Sequence, residues 1–522
     1  MRRSALSIEP DEGRDGLSGP KADAPPCSLP FSILHISANP FIQDRRRRRS
    51  ERSLLGTRYS PLSLRLGAKR TMSRHNDQFT QYGWLLCLWI LVISFQYGWH
   101  ISVLNQLQAV LTCEEGGLNE GCIPMSEAVF GLVTAVFTVG GLAGSLVASM
   151  IMDNFGRRGT ARVTAILIAV GSGLMGFSHS VAVLGFGRLL VGLGSGIGLC
   201  AVPIYLAEIA PPSIAGRVGV LNQLGIVVGI MVTQAVGLRF ATPSQWRYVL
   251  FMSSALSLGQ FFVSSAMVES PAYLASKGLL EQKKAAAARI WKTSASPASV
   301  EDPLLADQAP HNEQIDSLTV PEAIAAKDIR GPLVAISFAM VSQQLSGINA
   351  VLYYSNSILS KSLPNLGPYV SLGITVVNVI MTFPPILLIE RVGRRRLLYF
   401  STFGAVGSLM LVGLGLNTDA ATLSSIAILT FVTSFASGLG PVPFVLIPEI
   451  APQHAVSALS SIALSLNWSV NFLVGLAFLP LRQSLQAYGE GTVFFVFAAA
   501  LLLSMTVGFR TADKGSLRRG QE

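Results

Sequence analysis

The feature that most constrains this chain is a succession of apolar segments, each long enough to cross a lipid bilayer. About 20 apolar residues in a helix span the hydrocarbon core, and such segments follow one another from residue 83 onward. Only 13% of the residues are charged, whereas about a quarter are charged in soluble globular proteins. The sequence therefore predicts an all-α membrane protein with 12 transmembrane helices. The predicted spans, numbered 1 to 12, are 83–104, 127–150, 162–179, 181–204, 218–238, 248–268, 331–354, 367–389, 397–416, 423–446, 457–480 and 490–509.

A long polar stretch divides these spans into six and six. Within it, the Ala-rich and Lys-rich pieces 282–291 and 319–327 are typical of short amphipathic helices on a membrane surface. The predicted domains are, in order, a disordered cytosolic tail, a six-helix bundle, a cytosolic linker, a second six-helix bundle and a short cytosolic tail: 1–80, 81–268, 269–330, 331–509 and 510–522.

The orientation of the spans follows from the short loops, because basic loops face the cytosol in most membrane proteins. The loop between spans 2 and 3 carries Arg157, Arg158 and Arg162, and the loop between spans 8 and 9 carries four arginines within 391–396. The loop between spans 1 and 2 is acidic, with neither Lys nor Arg. The net charge of +10 therefore reflects topology rather than a nucleic-acid surface, and both termini are predicted to be cytosolic.

The five cysteines do not have the spacing of a metal site. Cys113 and Cys122 share the loop between spans 1 and 2, where they either form a disulfide or remain free thiols, and free thiols are the simpler interpretation. The Gly-rich run 192–198 is a helix-packing surface and not a phosphate loop, because Lys and Ser or Thr do not follow it. Without a metal cluster or a catalytic triad, the sequence predicts neither a cofactor nor an enzyme.

Two pairs of matching motifs indicate that the bundles are copies of one unit. DNFGRR (153–158) follows span 2, and ERVGRR (390–395) follows span 8. The motif Glu-Ile-Ala-Pro follows spans 4 and 10, beginning at Glu208 and Glu449, which lie 241 residues apart. Two related bundles with a site between them fit transport by alternating access.

The Gly-Arg-Arg motifs also predict salt bridges at the cytosolic end. Glycine allows a tight bend, and arginines such as Arg157 and Arg158 can then pair with acids at neighbouring helix ends, where Glu208 and Glu449 lie. Bridges that hold only while the cytosolic mouth is shut would bias the protein between two states. The alternative is that these arginines only fix the topology.

Uncharged amides occur in span 7, within a stretch, 333–359, that has no charged residue. Amides are costly in a membrane unless they face partners or a water-filled cavity. On a straight helix Gln344 and Asn349 would diverge by ~140°, but a break near Gly347 would bring both into one cavity. Amides donate and accept hydrogen bonds, which suits a neutral polyhydroxylated solute. The alternative is that they only join helices.

Seven motifs occur together between residues 80 and 510: Gly156-Arg157-Arg158, Gly187-Arg188, Pro203-x-Tyr205-x-x-Glu208, Glu269-Ser270-Pro271, Gln343 to Asn349, Gly393-Arg394-Arg395 and Asn467-Trp468-x-x-Asn471. In combination they resemble the sugar porter family of the major facilitator superfamily, above all the facilitative glucose and fructose transporters and their fungal relatives. The resemblance implies the two-bundle fold of that superfamily and the transport of a monosaccharide.

The resemblance also implies roles for single residues. Gln223 and Asn378 additionally stand out as amides in apolar spans, where their alternative role is interhelical bonding. The sugar-contacting positions fall on Gln223, Gln343, Gln344, Asn349 and Asn378, with Trp468 as aromatic neighbour. The gate on the non-cytosolic side falls on Tyr353 and Tyr354. The cytosolic charge cluster falls on Glu208, Arg217, Glu269, Glu390, Arg394 and Glu449.

Some positions depart from the family pattern. Phe444 stands where typical glucose carriers have Trp, so the stacking face is kept but the N–H donor is lost. This departure puts selectivity for glucose in doubt. Ala272 and Val456 stand where arginines are usual, and the closing Pro-Glu-Thr-Lys-Gly motif is absent. The charged contacts that hold the cytosolic end of the second bundle shut are therefore expected to be weaker.

We therefore expect a monomeric facilitator that moves a hexose or related polyol. One alternative is proton coupling through His100 in span 1, since histidine titrates near neutral pH. A second alternative is a sensor that binds sugar but transports little. The dileucine-like run 51–55 and the lack of a usable glycosylation site in a luminal loop favour the vacuolar membrane over the plasma membrane.

Overall fold

Helices form nearly all of the structure, a computed structural model that describes residues 78–113, 121–292, 317–349, 351 and 367–519. All of these residues belong to the unit Arg74–Glu522. Most of the predicted N-terminal tail lies outside the described residues, as do Tyr353 and Tyr354.

The membrane-spanning helices follow the predicted order. Their bounds are Gln81–Leu111 (span 1), Glu127–Gly176 (spans 2 and 3), Val181–Ile209 (span 4), Ala215–Phe240 (span 5), Trp246–Val263 (span 6), Arg330–Leu345 (span 7), Gly367–Val392 (span 8), Arg394–Asn417 (span 9), Ala421–Ser434 with Val442–Ile450 (span 10), Val456–Leu485 (span 11) and Thr492–Arg519 (span 12).

The described helices account for all the predicted spans. Nine of them are long and apolar enough to cross a membrane, and the bent pair Pro480–Tyr488 and Thr492–Gly508 raises the number to ten. The 50-residue helix Glu127–Gly176 supplies two spans because it is broken at Gly156. Arg330–Leu345, with 16 residues, is the main described part of span 7.

Glycines bend the chain at both Gly-Arg-Arg motifs, as predicted. The φ angle is +72° at Gly156 and +89° at Gly393, a region that side chains with a Cβ rarely adopt. Helical geometry continues on both sides of Gly156, so the predicted connection between spans 2 and 3 is a tight bend at this glycine. We call the end of the bundle that carries Gly156 and Gly393 the basic end.

Two other spans depart from the prediction. Span 10 is interrupted by a π-helical turn, Phe435–Leu439, after which the helix resumes at Val442. Span 12 continues beyond its predicted end at residue 509 to Arg519, so much of the predicted C-terminal tail is helical.

The linker folds against the basic end of the first six spans. The two predicted linker helices are present, as Leu280–Ile290 and Val320–Ala325, and a further short helix covers Pro271–Ser276. The strand Trp291–Lys292 pairs antiparallel with the strand Gln78–Phe79. The linker therefore ties to the start of span 1.

Close helix contacts explain the Gly-rich run of span 4. A Cβ added at Gly192 would lie 2.3 Å from Phe137 O, and one added at Gly196 would lie 2.1 Å from Gly141 O. Only glycine allows spans 2 and 4 to approach this closely, so the prediction of a packing surface is confirmed. The two six-helix halves then meet along spans 2 and 11 and along spans 5 and 8.

A disulfide joins Cys113 to Cys122, with their Cα atoms 5.4 Å apart. The simpler expectation of two free thiols is therefore wrong. Cys87 and Cys200 are free and buried. The indole Nε1 of Trp246 donates to Gly121 O at 3.0 Å, so the bridged loop is held against the start of span 6.

Candidate functional site

The predicted break in span 7 is present. The helix ends at Leu345, and Gly347 has a φ of +71°. The bend brings Asn349 Nδ2 to 3.3 Å from Gln344 Oε1, although a straight helix would place these side chains ~140° apart. The two amides therefore share one site.

Amides of span 11 extend this pair into a network. Gln344 Nε2 donates to Asn467 Oδ1 at 3.1 Å, and Asn349 Nδ2 donates to Asn471 Oδ1 at 2.7 Å. Asn467 Nδ2 donates in turn to Gln343 Oε1 at 2.9 Å. Asn467 and Asn471 belong to one of the seven sequence motifs, but no role was predicted for them. Their spacing of four residues, which puts both on one helix face, was the available signal.

Gln343 also connects the network to the break in span 10. Its Nε2 lies 2.9 Å from both Leu439 O and Gly440 O. Leu439 O has no helical donor, because the residue four positions later is Pro443. Gln223 of span 5 borders the same place, since a Cβ added at Gly440 would lie 3.2 Å from Gln223 Nε2. One amide of the first half thus faces the amides of the second.

An aromatic wall stands beside the amides. Trp468 is 2% exposed, and its ring meets Tyr97 and Phe137 edge-on with centroids 5.6 Å apart in each case. Phe444 is also buried. Within the described part of the chain, Trp468 Nε1 and Asn378 Oδ1 are buried without a hydrogen-bond partner. Among the predicted sugar-contacting residues and their aromatic neighbour, these are one unused donor and one unused acceptor.

The first half carries a salt-bridge cluster at the basic end. Arg157 donates to both carboxylate oxygens of Glu208, at 2.8 and 3.0 Å. Glu269 accepts from the backbone N–H groups of Arg157 and Arg158 at 2.9 and 3.0 Å. Burial raises the pKa of the Glu269 carboxyl above its usual value, and the N–H donors, that of Ser270 among them, oppose this only in part.

The second half carries the matching cluster. Arg394 bonds Glu449 through Nε and a terminal nitrogen, with a shortest distance of 2.6 Å, and Glu390 at 2.9 Å. Glu390 also accepts from Gly216 N at 2.8 Å, and so bonds the first turn of span 5 in the other half. Arg217 was predicted to belong to the cytosolic charge cluster. Its Nε is buried and has no hydrogen-bond partner among the described residues.

Hydrogen bonds between serines join spans 2 and 11, and these serines were not predicted from the sequence. Ser149 N donates to Ser461 Oγ at 2.9 Å, and the hydroxyls of Ser145 and Ser465 lie 2.9 Å apart. Each span contributes two serines four residues apart, which puts them on one face. These bonds hold the two halves together between the amide network and the basic end.

The described hydrogen-bond partners of His100 belong to the first half. Its ring is completely buried, and its Nε2 is 2.6 Å from Ser253 Oγ of span 6. Arg188 donates to the backbone oxygen of His100 at 2.8 Å. The histidine is thus part of the packing within the first half.

Comparisons with known proteins match residues 86–513 to the family described as "Sugar (and other) transporter". A probable metabolite transport protein of Saccharomyces cerevisiae is 30% identical over 442 residues, which cover 80% of this chain and 89% of the yeast protein. Facilitated glucose transporter member 3 of solute carrier family 2 from Ovis aries is 34% identical over 427 residues, or 78% of this chain and 85% of the sheep protein.

Solved structures show the same architecture. The proton:xylose symporter XylE bound to 6-bromo-6-deoxy-D-glucose superposes with a TM-score of 0.70, at 20% identity, over 82% of this chain and 95% of the other. An inward-open XylE from E. coli gives a TM-score of 0.60, at 21% identity, over 82% and 96%. At these identities the likeness establishes the fold and not the cargo.

Proposed function

The chain belongs to the sugar transporter family of the major facilitator superfamily, and from this premise we propose that it moves a neutral hexose or related polyol down its gradient. It is a membrane transporter and not an enzyme. The observation that carries the proposal is the amide network at the bend of span 7, made of Gln343, Gln344, Asn349, Asn467 and Asn471.

The network suits a polyol because each amide offers a donor and an acceptor, as each hydroxyl does. In this conformation the amides bond one another, so a sugar that enters replaces amide–amide bonds with equivalent ones. The unused Asn378 Oδ1 and Trp468 Nε1 supply one further acceptor and one further donor. Gln223 adds the first half's contribution.

Alternating access follows from the bonds that cross between the halves. Glu390 to Gly216, Ser149 to Ser461 and the pair Ser145 and Ser465 all link the halves on the basic side of the amides. We propose that these bonds break when the basic end opens. The bridge between Arg157 and Glu208 lies within one half, so it braces that half in both states.

The position of His100 supports uniport over proton symport. Its ring bonds Ser253 within the same half, and its described contacts reach the aromatic wall only indirectly, through Arg188, which stacks on the Phe137 ring. A coupling residue has to sense the site that it drives.

We propose that the basic end and both termini face the cytosol, because the basic loops lie there. We further propose that the protein works as a monomer in the vacuolar membrane. A fluorescent protein fused to the carboxyl end would mark the vacuolar rim; a plasma-membrane rim would contradict this placement.

Counterflow of labelled hexoses, pentoses and polyols into vesicles that contain the purified protein tests the function. We expect saturable counterflow of at least one carbohydrate, unchanged by pH between 5.5 and 7.5 (roughly the range in which His titrates) and by a protonophore. Binding without flux would support the sensor instead, and flux abolished by the protonophore would support the symporter.

A further inference from the structure

A polar cavity lies at the basic end, apart from the amide network. Its volume is about 340 Å³, within the range of small-molecule sites. The first half supplies Arg157 and Glu208, the linker supplies Tyr273 and Ser317, and the second half supplies Ser457 and its neighbours. Ser457 precedes Asn467 by ten residues on the same helix, which is about 15 Å along its axis.

The cavity has a buried floor and an exposed rim. Arg157 and Ser457 form part of the floor, with 6% and 4% exposure. Lys277, Ser317 and Gln453 are exposed. A small molecule can therefore enter from the solvent on the basic side and reach polar groups below the surface.

The charges that line the cavity are balanced. Arg157 is paired with Glu208, Asp153 and Lys277 add one charge of each sign, and the imidazole of His454 completes the titratable lining. Such a wall selects neither an anion nor a cation. The remaining lining is rich in hydroxyl groups, with the amide of Gln453 beside them, and these groups both donate and accept hydrogen bonds.

We infer that this cavity is a second binding site for a neutral polyol of the class that the transporter carries. The inference rests on the proposed function for the identity of the class. Because the lining comes from both halves and from the linker, a polyol bound here bridges them only while the basic end is shut. Binding to one state stabilises that state, so polyol on the basic side holds the basic end closed and slows its opening.

Ala272 offers a direct test because its small side chain lines the cavity. Ala272→Arg would fill the space, whereas Ala272→Ser leaves it open. Equilibrium binding of labelled D-glucose, D-fructose, D-xylose and myo-inositol to the purified full chain is measured for both variants, for the wild type and for Gln344→Leu. For the probe that binds best, we expect about two molecules per chain in the wild type and Ala272→Ser, and about one in Ala272→Arg and Gln344→Leu.

A fold control and a second variant keep the test decisive. Thermal melting of each purified variant reports folding, and Ser457→Leu, which alters the floor, should halve binding where Ser469→Leu does not. Equal binding in Ala272→Arg and Ala272→Ser would overturn the second site.

The two proposals fail separately. If Gln344→Leu loses all binding while Ala272→Arg keeps the wild-type amount, the cavity proposal is wrong and the amide site stands. If Ala272→Arg loses half of the binding and Gln344→Leu loses none, the cavity proposal stands and the amide site is wrong. No bound probe in the wild type would contradict both.

Discussion

Asn349 Nδ2 lies 3.3 Å from Gln344 Oε1, five positions earlier in the chain, because span 7 bends between them. The bend depends on Gly347, whose φ is +71°. Both amides also bond span 11, through Asn467 and Asn471. A single backbone conformation thus assembles the polar groups that we assign to the cargo.

Replacing Gly347 should disrupt the site. Gly347→Ala places a Cβ 3.1 Å from the Phe497 ring and costs ~1–2 kcal/mol through the left-handed backbone. Because that cost falls on the bent conformation, we expect a lower melting temperature and about a tenfold loss of flux. Gly373→Ala is the control, because nothing lies within 4 Å of its added Cβ. Equal melting and equal flux in the two variants would refute the role of the bend.

The Glu390 carboxylate of the second half should cap the start of span 5, which belongs to the first half. It accepts from Gly216 N at the start of span 5, where the side chain of the preceding Ile214 provides no cap. Loss of a helix cap costs ~1 kcal/mol, so Glu390→Leu should open the basic end ~5-fold more often. Maleimide labelling of a Ser149→Cys reporter, in a background in which Cys27, Cys87 and Cys200 are replaced by Ala, would measure this opening.

The control for Glu390 is the exposed Glu281, which pairs with Lys284 on a linker helix. Glu281→Leu should leave the labelling rate unchanged, because exposed pairs contribute little. The cap has no role in gating if both variants label at the wild-type rate.

Glu269 should make folding stability depend on pH. Burial raises its pKa in the folded protein, so the folded state holds a proton that the unfolded state has already released. This contribution is fully present below the ordinary pKa and is lost as pH rises through the raised folded pKa. Relative to Glu269→Gln, the wild type should lose stability across that window and show no difference in slope outside it. Melting curves would be recorded from pH 4 to pH 8, a range of ~4 units that begins near the usual Glu pKa. If the carboxylate were the favoured form in the folded protein, the stability of the wild type relative to Glu269→Gln would instead rise with pH.

Much of this fold follows from local patterns. Apolar length defined the spans, and the glycines at 156 and 393 bend where their motifs predicted. The meeting of Gln344 and Asn349 also followed from one glycine in one helix. These features depend on residues that are close in sequence, so they could be predicted from this one sequence.

The missed features depend on which spans are neighbours. The serines at 145 and 149 and those at 461 and 465 are ordinary helix residues until spans 2 and 11 come together. Likewise, the bond from Gly216 to Glu390 requires span 5 to meet span 8.

The most direct measurement is hexose counterflow by Gln344→Leu beside Gln260→Leu. Both glutamines are buried in the membrane, at 7% and 4% exposure, but the described tertiary hydrogen bonds of Gln260 join it to Trp89 of span 1 alone. Its Nε2 donates to Trp89 O at 3.0 Å, and its backbone O accepts from Trp89 Nε1 at 3.1 Å. A lost buried hydrogen bond costs ~1–3 kcal/mol, so either variant melts somewhat earlier. The account predicts that Gln344→Leu loses at least about tenfold in flux while Gln260→Leu keeps most of it. Equal flux in the two variants, for every carbohydrate that the wild type carries, would contradict it.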